Sequence, residues 1–405
     1  MSKPTIPNLL SLRGTRGGER GRGRSRVRGR GGGASRVAPG TEPGDASSHT
    51  LAHDATIQGT DTDAAVSRLS AVHLGYLQDP FANLFVQPGP SGSSARRLPI
   101  INRGTYTRTT AIDKLVDIFL SQTEGQERQI ISLGAGTDTR SLRLFSVSTS
   151  SRQQQPVQNL TYHEIDFPDI RARKLRIVRG SPQLRNVLSD PVEHTSAATT
   201  QQGNDATQAP QDNDGGEAVT TTITYWQSKS IQSPSSQLFF HGLDLRHLAG
   251  GKNVSSIPHL RGDVPTLLIS ECCLCYLSTP EATAVISHFI TAISENLGII
   301  IYEPIKPDDP FGHMMISNLA ARGITMPTLD VFRQPADQEA RLRLAGFAAV
   351  RQMTVDDIWE RWIDENEKER VDGLEGLDEV EEWKLLAGHY IVAWGWKGDR
   401  FNLDA

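Results

Sequence analysis

The stretch Gln129-Ile130-Ile131-Ser132-Leu133-Gly134-Ala135-Gly136-Thr137-Asp138-Thr139-Arg140 constrains this chain more than any other. An apolar run that stops at two glycines reads as a buried strand entering a sharp turn, because residues without a Cβ let the backbone bend and approach a ligand closely. Ser141-Leu142-Arg143-Leu144 then starts a helical run. Strand, glycine turn and helix in that order open a nucleotide-binding α/β fold. The dinucleotide fingerprint needs a third glycine where Thr139 stands, so NAD and FAD are disfavoured and S-adenosylmethionine is the better reading. Two glycines alone also make ordinary turns, so the neighbouring segments carry the decision.

Ile112, Leu115, Val116, Phe119 and Leu120 recur with helical spacing just before the glycine strand, which predicts an amphipathic helix packed beside it. Thr161 to Phe167 reads as a second strand ending on Asp166, followed by a helix over Pro168 to Arg179. A carboxylate at that strand end can accept hydrogen bonds from both ribose hydroxyls; otherwise it is a solvated surface charge. The gap from the glycines is stretched by a polar insert at about 146–159. Gln237 to Leu245 reads as a strand with an acid, Asp244, at its end, suited to meeting an adenine ring. Thr266-Leu267-Leu268-Ile269-Ser270-Glu271 reads as a central parallel strand covered on both faces, its carboxyl end facing the ligand crevice. Thr279 as N-cap and Pro280 at the first helical position start the next helix. Ile299 to Glu303 is then a strand, Asp309 caps another helix, a late strand spans Ala348 to Met353, and Leu377 to Leu386 is an acidic helix. His389 to Trp396 reads as a terminal strand, the antiparallel edge of the sheet, with core aromatic residues.

Composition bounds the rest. The chain has 405 residues, 37% of them hydrophobic, and no run approaches a membrane span. Residues 1–40 hold nine Arg and one Lys against one Glu, so the net charge of −5 hides a basic tail on an acidic body. Residues 1–55 are rich in Arg-Gly steps without an apolar face, which predicts a disordered tail; weak nucleic-acid contact belongs to this tail alone. A second insert, at about 192–222, is almost free of aliphatic side chains and, like that at about 146–159, is expected to be disordered. The absence of an apolar segment behind the basic residues points to a cytoplasmic or also nuclear protein. Cys272, Cys273 and Cys275 lie too close for useful disulfides and lack further zinc ligands, so they are expected as buried, reduced core thiols.

Taken together, Ile101-Asn102-Arg103-Gly104, Leu133 to Thr139, Glu164-Ile165-Asp166-Phe167-Pro168, Arg173-Lys174-Leu175 and Leu268-Ile269-Ser270-Glu271-Cys272 resemble the leucine carboxyl methyltransferases. That family methylates the C-terminal leucine of the type-2A protein phosphatase catalytic subunit. The resemblance spans about 60–400 and implies a class I S-adenosylmethionine-dependent methyltransferase: a Rossmann-like, mostly parallel sheet with helices on both faces and an N-terminal helical lid at about 60–125. The methyltransferase domain would occupy residues 56–405, as a monomer whose partner is the phosphatase tail. The resemblance further implies that Arg68, where the family most often has Lys, contacts the cofactor, that Arg108 holds its methionine carboxylate, and that Gly134 gives backbone approach. By the same likeness Asp166 binds the ribose, Asp244 and Leu245 frame the adenine, Glu271 lies near the ammonium, and Tyr276 lies near the substrate carboxylate. The tail and the 192–222 insert depart from the family pattern.

The implied chemistry needs no obligatory base. A terminal carboxylate, with a reference pKa of about 3.5, is already ionised near neutral pH and can attack a sulfonium methyl directly. Alignment is what the enzyme must add, worth up to about 7–11 kcal/mol, and Arg103 and Arg108 are the candidates to orient carboxylates. Two other readings stand beside this one. The first is a tRNA methyltransferase acting on a hypermodified base, whose relatives carry a long C-terminal propeller that this chain lacks. The second is a non-catalytic methyltransferase-like scaffold binding RNA through the Arg-Gly tail.

Overall fold

Nine strands form one sheet in the computed structural model, which describes residues 45–86, 96–146, 155–198, 221–249, 257–293, 295–378 and 380–405. The strands are β1 (Arg128–Leu133), β2 (Leu160–Asp166), β3 (Val192–Ala198), β4 (Thr221–Lys229), β5 (Gln237–Gly242), β6 (Thr266–Glu271), β7 (Leu297–Pro304), β8 (Ala349–Thr354) and β9 (Tyr390–Lys397). Their spatial order is β3-β4-β5-β2-β1-β6-β7-β9-β8. The five central strands β5, β2, β1, β6 and β7 run parallel, while β4 and β9 turn antiparallel on either side. The chain passes outward from β1 in one direction and returns through β6 in the other, so the crevice above the β1 and β6 ends is the switch point where such sheets bind ligands.

The helices are α1 (Asp45–His73), α2 (Pro99–Gln122), α3 (Arg140–Leu144), α4 (Pro168–Gly180), α5 (Arg246–Ala249), α6 (Thr279–Ala292), α7 (Pro310–Ala320), α8 (Pro335–Leu344), α9 (Val355–Trp362), α10 (Glu365–Asp372) and α11 (Val380–Gly388). They cover both faces. Alternate residues of β1 serve opposite layers: Ile130 joins the core with Ile112, Leu115, Val116 and Phe119 of α2, and Ile131 joins the core with Val285, Ile286 and Phe289 of α6. That division follows from the two-residue period of a strand, and it is why the apolar runs of the central strands are continuous.

Several expectations shift in detail. Residues 45–55, assigned to the tail, begin α1, while 1–44 lie outside the described residues. The insert expected from 192 starts as strand β3, hydrogen-bonded to β4, and residues 199–220 lie outside the described residues. Residue spacing alone cannot reveal this strand, because Val192-Glu193-His194-Thr195-Ser196 has no apolar alternation and takes its order from pairing with β4. Of the 146–159 insert, 147–154 lie outside the described residues. Ser278, rather than Thr279, caps α6, and its hydroxyl and Glu281 form a capping box. The terminal strand β9 is antiparallel but interior: β8 covers its other side and forms the edge. Among the described residues, no helix is long and apolar enough to cross a membrane.

Candidate functional site

Where β1, β2, β5 and β6 end, their last residues line a cavity of about 560 Å³ roofed by α1 and by residues 319–327. Leu133-Gly134-Ala135-Gly136, Asp166, Asp244-Leu245 and Glu271-Cys272 come from the four strand ends, and Arg68, Arg108 and Tyr276 from the surrounding elements. The fold thus brings together eight of the nine candidate residues. Arg103 is the exception: it lies on α2 outside the cavity, pairs with Asp372, and stacks its guanidinium 4.5 Å from the Trp359 ring and 5.5 Å from Trp383. Its neighbour Asn102 bonds Ser70 and Glu375. The Asn-Arg-Gly motif therefore ties α1, α2 and the C-terminal helices together, and Arg103 is not in position to orient a carboxylate in the cavity.

The glycine turn is shaped by close approach. Gly134 has φ +60°, and a Cβ there would sit 2.7 Å from Cys273 Sγ; Gly136 has φ +50°, and a Cβ there would run into the Asp61 carboxylate. Both angles belong to the left-handed region that glycine adopts without penalty. Asp61, on α1, accepts from the Thr137 amide and hydroxyl at 2.7 Å each. A carboxylate therefore already occupies the amide where a dinucleotide's pyrophosphate would dock.

Asp166 is held ready as an acceptor, its two oxygens taking the Gly136 and Phe167 amides at 2.7 Å. Burial pushes its pKa from 3.8 up to about 6 against the pull of those two amides. Asp244 is clamped by Arg246, which also reaches Asp54 on α1. Arg68 bonds Asp79 at 2.5 Å, and Asp79 also accepts from Thr139 in the glycine turn at 2.5 Å. Arg68 thus touches the cavity while its charge is already partnered.

Arg108 and Glu271 face each other at 3.5 Å, and the buried Arg108 Nε has no hydrogen-bond partner among the described residues. An unmet buried donor beside a carboxylate is a pair of opposite charges suited to the carboxylate and ammonium of an amino acid. With the Asp166 acceptor and the apolar side chains of Leu243 and Leu245 flanking Asp244, the residues present fit S-adenosylmethionine. Tyr276 closes the cavity from a 3-10 turn, Leu274–Tyr276, and burial raises its hydroxyl so that it stays a donor. Among the described residues, no cluster of His, Cys, Asp and Glu is placed to hold a metal.

Two comparisons with known proteins bear on identity. Residues 56–290 match the profile of the leucine carboxyl methyltransferases. Leucine carboxyl methyltransferase 1 of Emericella nidulans is 43% identical over 98% of this chain and 95% of its own length, and that of Aspergillus fumigatus is 46% identical over 98% and 94%. The chain belongs to the leucine carboxyl methyltransferase family. It is a methyltransferase, with the class I fold expected of it. The leucine carboxyl methyltransferase 1 homolog of Arabidopsis thaliana is 30% identical over 84% of the chain and 89% of its own length. Among solved structures, magnesium protoporphyrin IX methyltransferase of Synechocystis with bound S-adenosylhomocysteine aligns at TM-score 0.35 and 10% identity, over 74% of this chain and 87% of that one.

Around this leucine carboxyl methyltransferase site stand residues with little signal in the sequence: Asp61 on the cavity wall, Tyr302 under the Arg108 guanidinium, and Arg140 behind Glu271. Asp61 and Tyr302 belong to no motif, whereas Arg140 directly follows the glycine turn, and its charge beside a buried strand was the available signal. The thiols differ from the buried core cysteines expected of all three positions. Cys275 is buried, but Cys272 and Cys273 are half-buried and line the cavity, Cys272 at φ +46°. The strand ends at Glu271, before the thiols, which turns both side chains towards the crevice.

Proposed function

We propose that this enzyme transfers the methyl group of S-adenosylmethionine to the C-terminal leucine α-carboxylate of the type-2A protein phosphatase catalytic subunit, by in-line displacement without an obligatory general base. The observation that carries the donor assignment is the facing of Arg108 and Glu271 across the cavity floor, together with the Asp166 acceptor. The acceptor assignment is supported by family membership. The donor, when bound, supplies a sulfonium methyl that a carboxylate can attack. Arg108 would hold the donor's carboxylate, Glu271 its ammonium and Asp166 its ribose, all three from the strand-end side of the cavity. Tyr276, kept protonated, donates to the entering carboxylate and orients it without removing its attacking lone pair. α1 and residues 319–327 wall the cavity opposite the strand ends, and water displaced from it on binding strengthens these contacts.

The test is to incubate the full-length protein with methyl-labelled S-adenosylmethionine and the phosphatase catalytic subunit, with and without its last residue. Label that appears as a base-labile ester only on the intact subunit supports the reading. Equal labelling of both forms, or none, overturns the acceptor assignment.

A further inference from the structure

Arg140 does not itself line the cavity, yet it lies directly behind two residues that do, and it is among the most confined cations of the described structure, its side chain 2% exposed. It starts α3, so its Cα is fixed by the glycine turn immediately before it. Its guanidinium reaches three carboxylates from three elements. Nε donates to Asp113 on α2 at 2.9 Å, and Nη1 lies 2.7 Å from Asp138 in the turn and 2.9 Å from Glu271 Oε1 at the end of β6. Asp113 is gripped a second time by Arg143, at 2.7 Å.

Glu271 is therefore held from behind by one oxygen. Oε1 is on Arg140, which cannot swing, while Oε2 points to Arg108 and the cavity. A free glutamate side chain has three soft torsions, whose freedom would be lost at the moment of binding. Here the fold has already ordered it. Only a planar fork can serve three acids in fixed directions; an ammonium on a flexible stem cannot.

We propose that Arg140 is a positioning residue for the methyl donor: by locking Glu271 Oε1 it presets Oε2 to receive the donor's ammonium, and through Asp113 it makes that presetting depend on the seating of α2. This rests on the proposed placement of the ammonium at Glu271. Arg140 never meets the ligand. Its effect runs through a single functional group of the ligand, which separates it from a general structural role.

The experiment uses the full-length protein and calorimetric titration with S-adenosylhomocysteine and with its desamino counterpart, in which hydrogen replaces the amine. The wild-type protein is expected to prefer S-adenosylhomocysteine by on the order of tenfold or more, as a hydrogen bond to a charged group implies. In Arg140→Lys, binding of S-adenosylhomocysteine weakens by on the order of tenfold while the desamino ligand changes by less than about twofold, since only the former uses Glu271. Asp113→Asn, which slackens Arg140 without removing a buried cation, shows the same selectivity and serves if Arg140→Lys does not fold. Equal weakening of both ligands in the variants, or no weakening of either, overturns the role of Arg140 while leaving the donor site intact. A wild-type protein that binds both ligands equally overturns the ammonium placement and this proposal with it.

Discussion

Arg108 Nε and Glu271 Oε2 stand 3.5 Å apart across the cavity floor, too far and too poorly aligned for a hydrogen bond, with the Arg108 guanidinium 5.2 Å from the face of Tyr302. The two charges compensate each other without satisfying each other. A zwitterion bound against both groups gains two charge-assisted contacts and breaks no good hydrogen bond.

Arg108→Ala should therefore reduce the single-turnover rate by about 10²-fold or more, because loosening the donor misplaces the methyl group, and should weaken donor binding as well. The fold should persist, since Arg108 is half-buried at a ligand-facing position. Single-turnover methyl transfer and circular dichroism on the same preparation check this; parental rate and affinity would refute it.

Arg103→Ala should behave oppositely. The contacts of Arg103 are with Asp372 and two tryptophan rings, and losing a cation–π contact at a largely desolvated site costs about 1–2 kcal/mol of stability. Thermal melting should show the loss, while titration finds donor affinity within about twofold of wild type, the scatter expected for a site with no shared partner.

Asp166 links the donor site to pH. Its carboxyl titrates at about 6 in the folded protein because burial disfavours the charge, and only the ionised form accepts from both ribose hydroxyls. Donor affinity should thus fall as pH drops through about 6, and Asp166→Asn should flatten that limb while weakening binding by about 1.5–3 kcal/mol at neutral pH. The sign for folding is reversed. With a folded pKa above the unfolded value of 3.8, the ligand-free protein binds the proton more readily when folded, so this group's contribution to stability rises as pH falls from about 6 to 3.8. Titrations at about pH 5, 6 and 7, on either side of the folded value, separate the two effects.

A buried imidazole pair should act against that gain. His163 Nδ1 and His241 Nε2 lie 3.0 Å apart beside Phe239 and Tyr225, and burial lowers both pKa values, that of His163 to about 3. Unfolded, each would titrate near about 6.5. The unfolded chain then binds more protons below that pH, and stability is lost progressively as pH falls. Urea midpoints should drop between about pH 7 and pH 4, and His163→Gln, which cannot charge, should shrink the drop.

Gly134→Ala tests the turn itself. A methyl group would meet Cys273 Sγ at 2.7 Å and Cβ at 2.8 Å with φ at +60°, adding steric clash to a left-handed penalty of about 1–2 kcal/mol. The variant should melt earlier and bind the donor more weakly; an unchanged melting temperature would mean that the turn can relax at no cost.

The sequence by itself determined the parts of this protein whose cause is local. The apolar runs of β1, β6 and β7 and the helical stripe of α2 fix which faces are buried, because each side chain's direction follows from the period of its own element. Gly134, Asp166 and Glu271 were legible for the same reason: each sits where a strand ends, and strand ends point at the crevice of a parallel sheet. What only the tertiary structure decided are relationships between charges far apart in the chain. Arg103 and Arg108 share one helix and one residue type, yet one packs against Trp359 and Trp383 and the other enters the cavity, since α2 presents different sides to different neighbours. Asp61 on the glycine turn, Arg140 behind Glu271, and the β3–β4 pair that took up residues 192–198 all depend on partners distant in the chain. Such contacts leave no period in the sequence, because a salt bridge is selected by three-dimensional distance and burial rather than by spacing along the chain.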